Sequence, residues 1–314
     1  MKSGLLAALF PGQGSQALGM ARDFYQRSPA ARRLLDEAEA TLPGLLEIMW
    51  QGPEEQLRLT ANQQPALVAA GAAAFAAYRE AGGEAPAFAA GHSLGEFTAH
   101  VAAGSLSLAD ALELVRRRGR YMQEAVPAGE GAMAAVLKVG RERVEQALDE
   151  VAGLVEVANL NAPEQTVISG AAAAVREAGE RLAKGGARVV PLKVSAPFHC
   201  SLMRPAATRL AADLAAVSFG KPSFGIVCNV TAELLSDAAQ APRLLERQVT
   251  APVRWVESIE RLATLGVTRF LEFGAGRVLS GLVGRILGRP PSTNIYLHAV
   301  TDMATLPGSL REGV

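Results

Sequence analysis

The stretch Ala87-Phe88-Ala89-Ala90-Gly91-His92-Ser93-Leu94-Gly95-Glu96-Phe97-Thr98-Ala99-His100 decides the fold. Its opening residues Ala87 to Ala90 form a short apolar run, expected as a buried strand, and they lead directly into Gly-x-Ser-x-Gly at 91–95 and then a helical pattern. Strand, Gly-bounded turn and helix in immediate succession predict a nucleophile elbow. The two glycines permit the tight turn, so Ser93 is expected above the sheet edge with a helix N-terminus beneath it. A bare GxSxG can also be a turn whose serine only caps the helix. Here the flanking strand and helix favour a nucleophile.

Upstream, Leu5 to Phe10 reads as another strand, followed by Pro11-Gly12-Gln13-Gly14-Ser15-Gln16 and a helix through Met20 to Tyr25. A dinucleotide fingerprint would need glycine at 17, where Ala17 stands. The loop is then either a plain βα turn or a flexible backbone whose amides approach a substrate oxygen. Leu34 to Leu59 reads as connecting helices, and Pro65 to Tyr78 as an alanine-rich helix closed by Ala81-Gly82-Gly83. After the elbow, a helix to Ala103 breaks at Gly104, and a second helix, capped by Ser107, runs to about Gln123. Its apolar face comprises Leu108, Ala111, Leu112, Leu114, Val115, Gly119 and Met122. At about 100° per residue, only Arg118 among the arginines at 116, 117, 118 and 120 projects near that face. An inward arginine needs an anionic partner, so Arg118 is either an anion clamp or half of a structural salt bridge.

Pro127 to Gly131 is loop material and a plausible boundary. Beyond it the pattern becomes βαββαβ: Met133 to Val139, Arg141 to Val151, Val155 to Asn161, Gln165 to Ser169, Ala171 to Lys184 and Arg188 to Val194. That is a ferredoxin-like order, read as an insertion. The chain then returns through Ser195-Ala196-Pro197-Phe198-His199-Cys200 to helix and strand alternation, with strands near Ile226 to Val230, Arg269 to Phe273 and Asn294 to Val300. The expected fold class is α/β: an α/β-hydrolase-like large domain with a mostly parallel sheet over 1–128 and 198–314, and a ferredoxin-like small domain over 129–197.

Composition narrows the classes of function. At 314 residues, with 49% hydrophobic and 20% charged residues, the chain is ordinary globular material with a sizeable core. Thirty-one basic residues balance thirty-one acidic ones, so no global field draws it to nucleic acid or an anionic membrane. Cys200 and Cys228 are too few for a disulfide framework or a zinc cluster, which favours a reducing cytoplasm. The apolar start is shorter than most signal h-regions, and no run reaches membrane-spanning length. The expectation is a soluble intracellular protein.

A serine nucleophile needs a base. His92 adjoins Ser93 and His100 lies two turns down the following helix, leaving His199 and His298. An α/β-hydrolase order of Ser, acid, His would select His298. Against it, no HGGG-type loop is present, and Pro197-Phe198-His199 is a rigid entry directly after the small domain that would aim an imidazole into an interdomain cleft. On the residues alone both remain open.

The motifs, taken together, resemble the malonyl-CoA:acyl carrier protein transacylase family of type II fatty acid synthesis. The pieces are FPGQGSQ (10–16), QQPALVA (63–69), GHSLGE (91–96), RGRYMQEAVPAGEGAMAA (118–135), NAPEQTVISG (161–170), SAPFHCSLM (195–203), RQVTAPVRW (247–255) and GAGRVLSGL (274–282). Each is weak alone, and their order makes them specific. The resemblance implies Ser93 as nucleophile, His199 as base, Arg118 as partner of the malonyl carboxylate, Gln13 and Leu94 as backbone donors of an oxyanion hole, and Gln248 as the residue whose carbonyl orients the histidine. It also implies malonyl-CoA and acyl carrier protein as substrates, no metal or redox cofactor, and a monomer. Because the carrier is acidic, a basic patch is expected, drawn from Arg116, Arg117 and Arg120 or from Lys184 and Arg188. A serine hydrolase, a polyketide-serving transacylase and a non-catalytic carrier-binding module remain as alternatives.

Overall fold

The computed structural model describes residues 4–194, 196–288 and 294–310, so Ser195, which opens the SAPFHCSLM motif, lies outside the described residues. The chain starts with β1 (Leu5–Phe10) and the helices α1 (Arg22–Arg27), α2 (Pro29–Thr41), α3 (Leu45–Trp50), α4 (Glu54–Arg58) and α5 (Thr60–Glu80). The elbow region follows as β2 (Phe88–Gly91), α6 (Gly95–Ala102) and α7 (Leu108–Glu124). Next come β3 (Gly131–Leu137), α8 (Arg141–Asp149), β4 (Val155–Ala162), β5 (Gln165–Ala171), α9 (Ala172–Lys184) and β6 (Arg188–Pro191). The remainder is α10 (Arg204–Ala215), β7 (Gly225–Val227), α11 (Ala241–Gln248), α12 (Trp255–Thr264), β8 (Val267–Phe273), α13 (Val278–Ile286), β9 (Tyr296–Val300) and α14 (Leu306–Leu310).

Two sheets result. One has the order β7-β2-β1-β8-β9 with every pairing parallel, and the other has the order β4-β5-β3-β6 with every pairing antiparallel. The parallel strands read as continuous apolar runs because helices cover both faces of such a sheet. Ala7, Ala8, Leu9 and Phe10 are fully buried accordingly. The second sheet carries α8 and α9 against a separate small core that includes Val136, Val144, Ile168 and Leu182. Strand β4 is tied to the segment between α11 and α12, where Leu160 N–H donates to Val253 O and Val253 N–H to Ala158 O, each at 2.9 Å. No described helix is long and apolar enough to cross a membrane.

Helix α5 starts at Thr60 rather than at Pro65, with the proline inside it. Proline in a helix interior removes one intrahelical bond, and burial on nearly every side outweighs that loss here. The early start matters because it orients Gln63 and Gln64 inward, both buried. Gly119 lets α7 approach the start of α5 closely: a Cβ there would lie 2.6 Å from Thr60 O. Phe75 meets Phe273 edge-on with ring centroids 5.3 Å apart.

Strands β6 and β7 are shorter than their apolar runs, ending at Pro191 and Val227. Residues 228–230 leave the sheet because Asn229 is drawn to the elbow, where its side chain donates to Gly91 O and accepts from Ser93 N–H. The start of α7 is set by Ser107, whose Oγ accepts from Asp110 N–H at 3.1 Å. Ser107→Ala is expected to destabilise the protein by about 1 kcal/mol. The readout is a lower denaturant midpoint at constant slope, and an unmoved midpoint would show that the cap contributes nothing.

Candidate active site

Ser93 sits between β2 and α6 with φ 53°, in the left-handed region, the strained turn that lifts a side chain off the sheet edge. The flanking glycines make that turn possible. A Cβ on Gly91 would lie 1.9 Å from the Gly95 carbonyl carbon, and one on Gly95 would lie 2.1 Å from Phe10 O. The loop after β1 also presses on the elbow, since a Cβ on Gly12 would come within 2.6 Å of His92 O. Gln13 follows directly, and the backbone N–H groups of Gln13 and Leu94 have no hydrogen-bond partner among the described residues.

Ser93 Oγ lies 2.8 Å from His199 Nε2, although the two residues are far apart in the chain. His199 Nδ1 lies 2.8 Å from the Gln248 carbonyl oxygen at the end of α11. A carbonyl can only accept, so Nδ1 carries the hydrogen and Nε2 keeps its lone pair toward the serine hydroxyl. Burial, reinforced by the Arg118 guanidinium, pushes the ring down to about 3, which leaves it neutral at pH 7.

Arg118 is buried on the inner face of α7, while Arg116, Arg117 and Arg120 point outward. Its Nη2 donates to Ser93 Oγ and to Gln248 Oε1, each at 3.0 Å, and its Nη1 donates to Gln64 Oε1 at 2.8 Å. Its Nε–H has no partner among the described residues. Burial lowers the guanidinium to about 10, so it stays charged at neutral pH. A dry cation held by neutral acceptors, with one donor unmet, suits a carboxylate ligand.

The other histidines are engaged elsewhere. His92 Nε2 meets Asn161 Oδ1 at 2.8 Å, and its ring packs on Trp255. His100 Nδ1 meets Ser105 Oγ at 2.7 Å. His298 lies on β9, separated from β2 by β1 and β8, and its Nε2 donates to Thr305 O at 2.7 Å. That removes the hydrolase-order histidine from the site. Of the outward arginines, Arg117 pairs with Asp213 at 2.7 Å and Arg120 with Glu124 at 3.9 Å.

Three side chains that sequence reasoning left without a role complete the cluster: Gln64, Glu96 and Asn229. Glu96, in the first turn of α6, accepts from Gln248 Nε2 at 2.7 Å and from Asn229 N–H at 3.0 Å. Burial pushes its carboxyl up to about 7. Gln64 and Glu96 carried the same signal as Arg118, a polar residue in an apolar helical stretch; Asn229 carried none. A cavity of about 480 Å³ adjoins the cluster, lined among others by Gln13, Gln63 and Phe198, with Arg58 and Lys193 also on its wall. Among the described residues, no three His, Cys, Asp or Glu side chains converge as a metal site requires.

The acyl transferase domain family matches residues 8–280. The malonyl CoA-acyl carrier protein transacylase of Bacillus subtilis (strain 168) is 48% identical over 306 residues, covering 96% of this chain and 95% of that protein. The protein of the same name from Escherichia coli (strain K12) is 43% identical over 285 residues, covering 90% and 92%. A chain from a solved complex of a type II polyketide synthase acyl carrier protein with its malonyl-transacylase matches with a TM-score of 0.94 at 42% identity, covering 98% of this chain and 100% of that one. With identities of this size over nearly its whole length, the chain belongs to the acyl transferase family, among the malonyl CoA-acyl carrier protein transacylases.

Proposed function

We propose that this chain moves a malonyl group from malonyl-CoA to the phosphopantetheine thiol of acyl carrier protein, for fatty acid biosynthesis in the cytoplasm, through a covalent intermediate on Ser93. One observation carries the reading: a single hydroxyl oxygen lies 2.8 Å from an unprotonated imidazole nitrogen and 3.0 Å from a buried guanidinium. His199 takes the serine proton as Oγ attacks the thioester carbonyl. The amides of Gln13 and Leu94 receive the oxyanion, each such donor being worth on the order of 3 kcal/mol. Collapse of the tetrahedral intermediate breaks the C–S bond, and His199 returns its proton to the CoA thiolate.

The second half runs in reverse. The carrier thiol gives its proton to His199, attacks the acyl-enzyme and leaves with the malonyl group, and the same proton restores the Ser93 hydroxyl. Gln248 orients the imidazole through its carbonyl, replacing the acid of a triad. Arg118 holds the malonyl carboxylate with parallel charge-assisted hydrogen bonds. These steps require no metal and no redox cofactor. Both substrates share a pantetheine arm, and the cavity beside Gln13 and Phe198 supports its entry there. The strand order of the antiparallel sheet and its βαββαβ connectivity support a ferredoxin-like small domain over 129–197, inserted into an α/β-hydrolase-like domain over 1–128 and 198–314.

The test is the intact mass of the protein after brief exposure to malonyl-CoA. One malonyl adduct is expected on the native chain and none on Ser93→Ala. With no carrier present, CoA release is expected to stop after one equivalent; continuous release would make the chain a hydrolase instead.

A further inference from the structure

Behind the reacting atoms lies a charge that the transfer chemistry does not use. Glu96 is buried below Ser93, and Arg118 is buried beside it. The Gln248 side-chain amide bridges them: Oε1 accepts from Arg118 Nη2 at 3.0 Å, and Nε2 donates to Glu96 Oε2 at 2.7 Å. The sense of this amide is forced. Arg118 can only donate and Ser93 O, 3.0 Å from Nε2, can only accept, so the oxygen must face the guanidinium and the nitrogen the elbow. An amide polarised from both ends is a stronger link than one between neutral partners.

We propose that Glu96 is the resident counter-ion of Arg118, and that malonyl binding displaces it from this role by making it take up a proton. This rests on the malonyl-transfer reading above and names how that site keeps its cation. Without substrate, a guanidinium held in a dry site by neutral acceptors needs a compensating anion nearby, and the amide relay provides one without blocking the face offered to substrate. When the malonyl carboxylate reaches Arg118, the site holds two anions for one cation. One must be neutralised, and the buried carboxyl is the one whose charged form burial already disfavours. The serine proton leaves on the CoA thiol and reaches solution only as far as that thiol ionises, a release that acetyl-CoA shares, so uptake specific to malonyl loading comes from the protein.

The ionisable groups around Glu96 are few. Arg118 faces it from α7, the Cys228 thiol contacts it from the segment after β7, and His100 lies one turn further along α6. His199 lies beyond Gln248, with its ring held by the Gln248 carbonyl. Strands β1 and β2 carry no titratable side chain, and those of α5 are confined to its last turn. A thiol can donate to the carboxylate or accept from the carboxylic acid, so the cluster tolerates either state.

The experiment loads the full-length chain with malonyl-CoA in weakly buffered indicator solution between pH 6 and 9, with adduct stoichiometry read by mass. Burial pushes the Glu96 carboxyl up to about 7, and a second anion raises it further. Uptake is therefore expected around and above neutral pH, to fall away toward pH 6 as Glu96 becomes protonated, and to have no counterpart with acetyl-CoA. In Glu96→Gln, which keeps shape and acceptor but not charge, uptake should disappear and the ratio of malonyl to acetyl loading at pH 8 should rise about three- to tenfold. A fully malonylated native chain with no uptake overturns the counter-ion role while leaving the transfer reading intact, and it does so even if the variant fails to fold. An unchanged ratio in a folded Glu96→Gln overturns it as well. No adduct at all removes the transfer reading and this inference together.

Discussion

Replacing His199 with alanine is expected to slow malonyl loading of Ser93 by about 10⁴-fold, the upper end of what a positioned general base contributes. The expectation follows from geometry: the Gln248 carbonyl fixes the ring's hydrogen on Nδ1, and the free Nε2 lies 2.8 Å from the hydroxyl it must deprotonate. Among the described residues, the other side-chain partner of Ser93 Oγ is an arginine donor, which cannot accept its proton. Single-turnover quench of acyl-enzyme formation measures the effect. A deficit below about tenfold in the single variant would mean that another group takes the proton.

How much of this was legible beforehand depended on whether a residue's role was local. The elbow was legible because its requirement is local: a short apolar strand, two glycines and a helix. Arg118 was legible because helical period alone turns it toward the apolar side of α7, where the structure has it buried. The strand Leu5–Phe10 and the order of the βαββαβ segment followed from apolar runs and their spacing in the same way.

The proposed base was not legible on those terms. His199 and His298 could not be separated by period or spacing; only the whole set of motifs favoured His199, and the structure then placed His298 on a distant strand. Asn229 was hidden for a different reason. It follows an apolar run that reads as continuous strand to Val230, and its departure from the sheet is dictated by Ser93 N–H and Gly91 O, which reach it only through tertiary folding. The early start of α5 likewise reflects burial overriding the local signal of Pro65.

Arg118→Ala should change what the site accepts more than how fast it works, with the ratio of malonyl to acetyl loading falling by about 10²- to 10³-fold. Malonyl and acetyl thioesters present the same carbonyl to Ser93 and differ only in the distal carboxylate. Acetyl loading therefore keeps the dyad and the amide donors, while malonyl loading loses a buried cation within reach of the nucleophile. The loss is large because a carboxylate brought into this site without a cation has been stripped of water and given no partner. Arg118→Lys should rescue poorly. A lysine ammonium cannot form two parallel hydrogen bonds with a carboxylate, nor can it hold Gln64 and Gln248 as the Arg118 fork does at 2.8 and 3.0 Å. Competition between the two thioesters in one tube gives the ratio directly, free of differences in active fraction. Equal losses for both acyl groups would refute the clamp and leave Arg118 as a support for the elbow, because a structural support acts before the substrates differ.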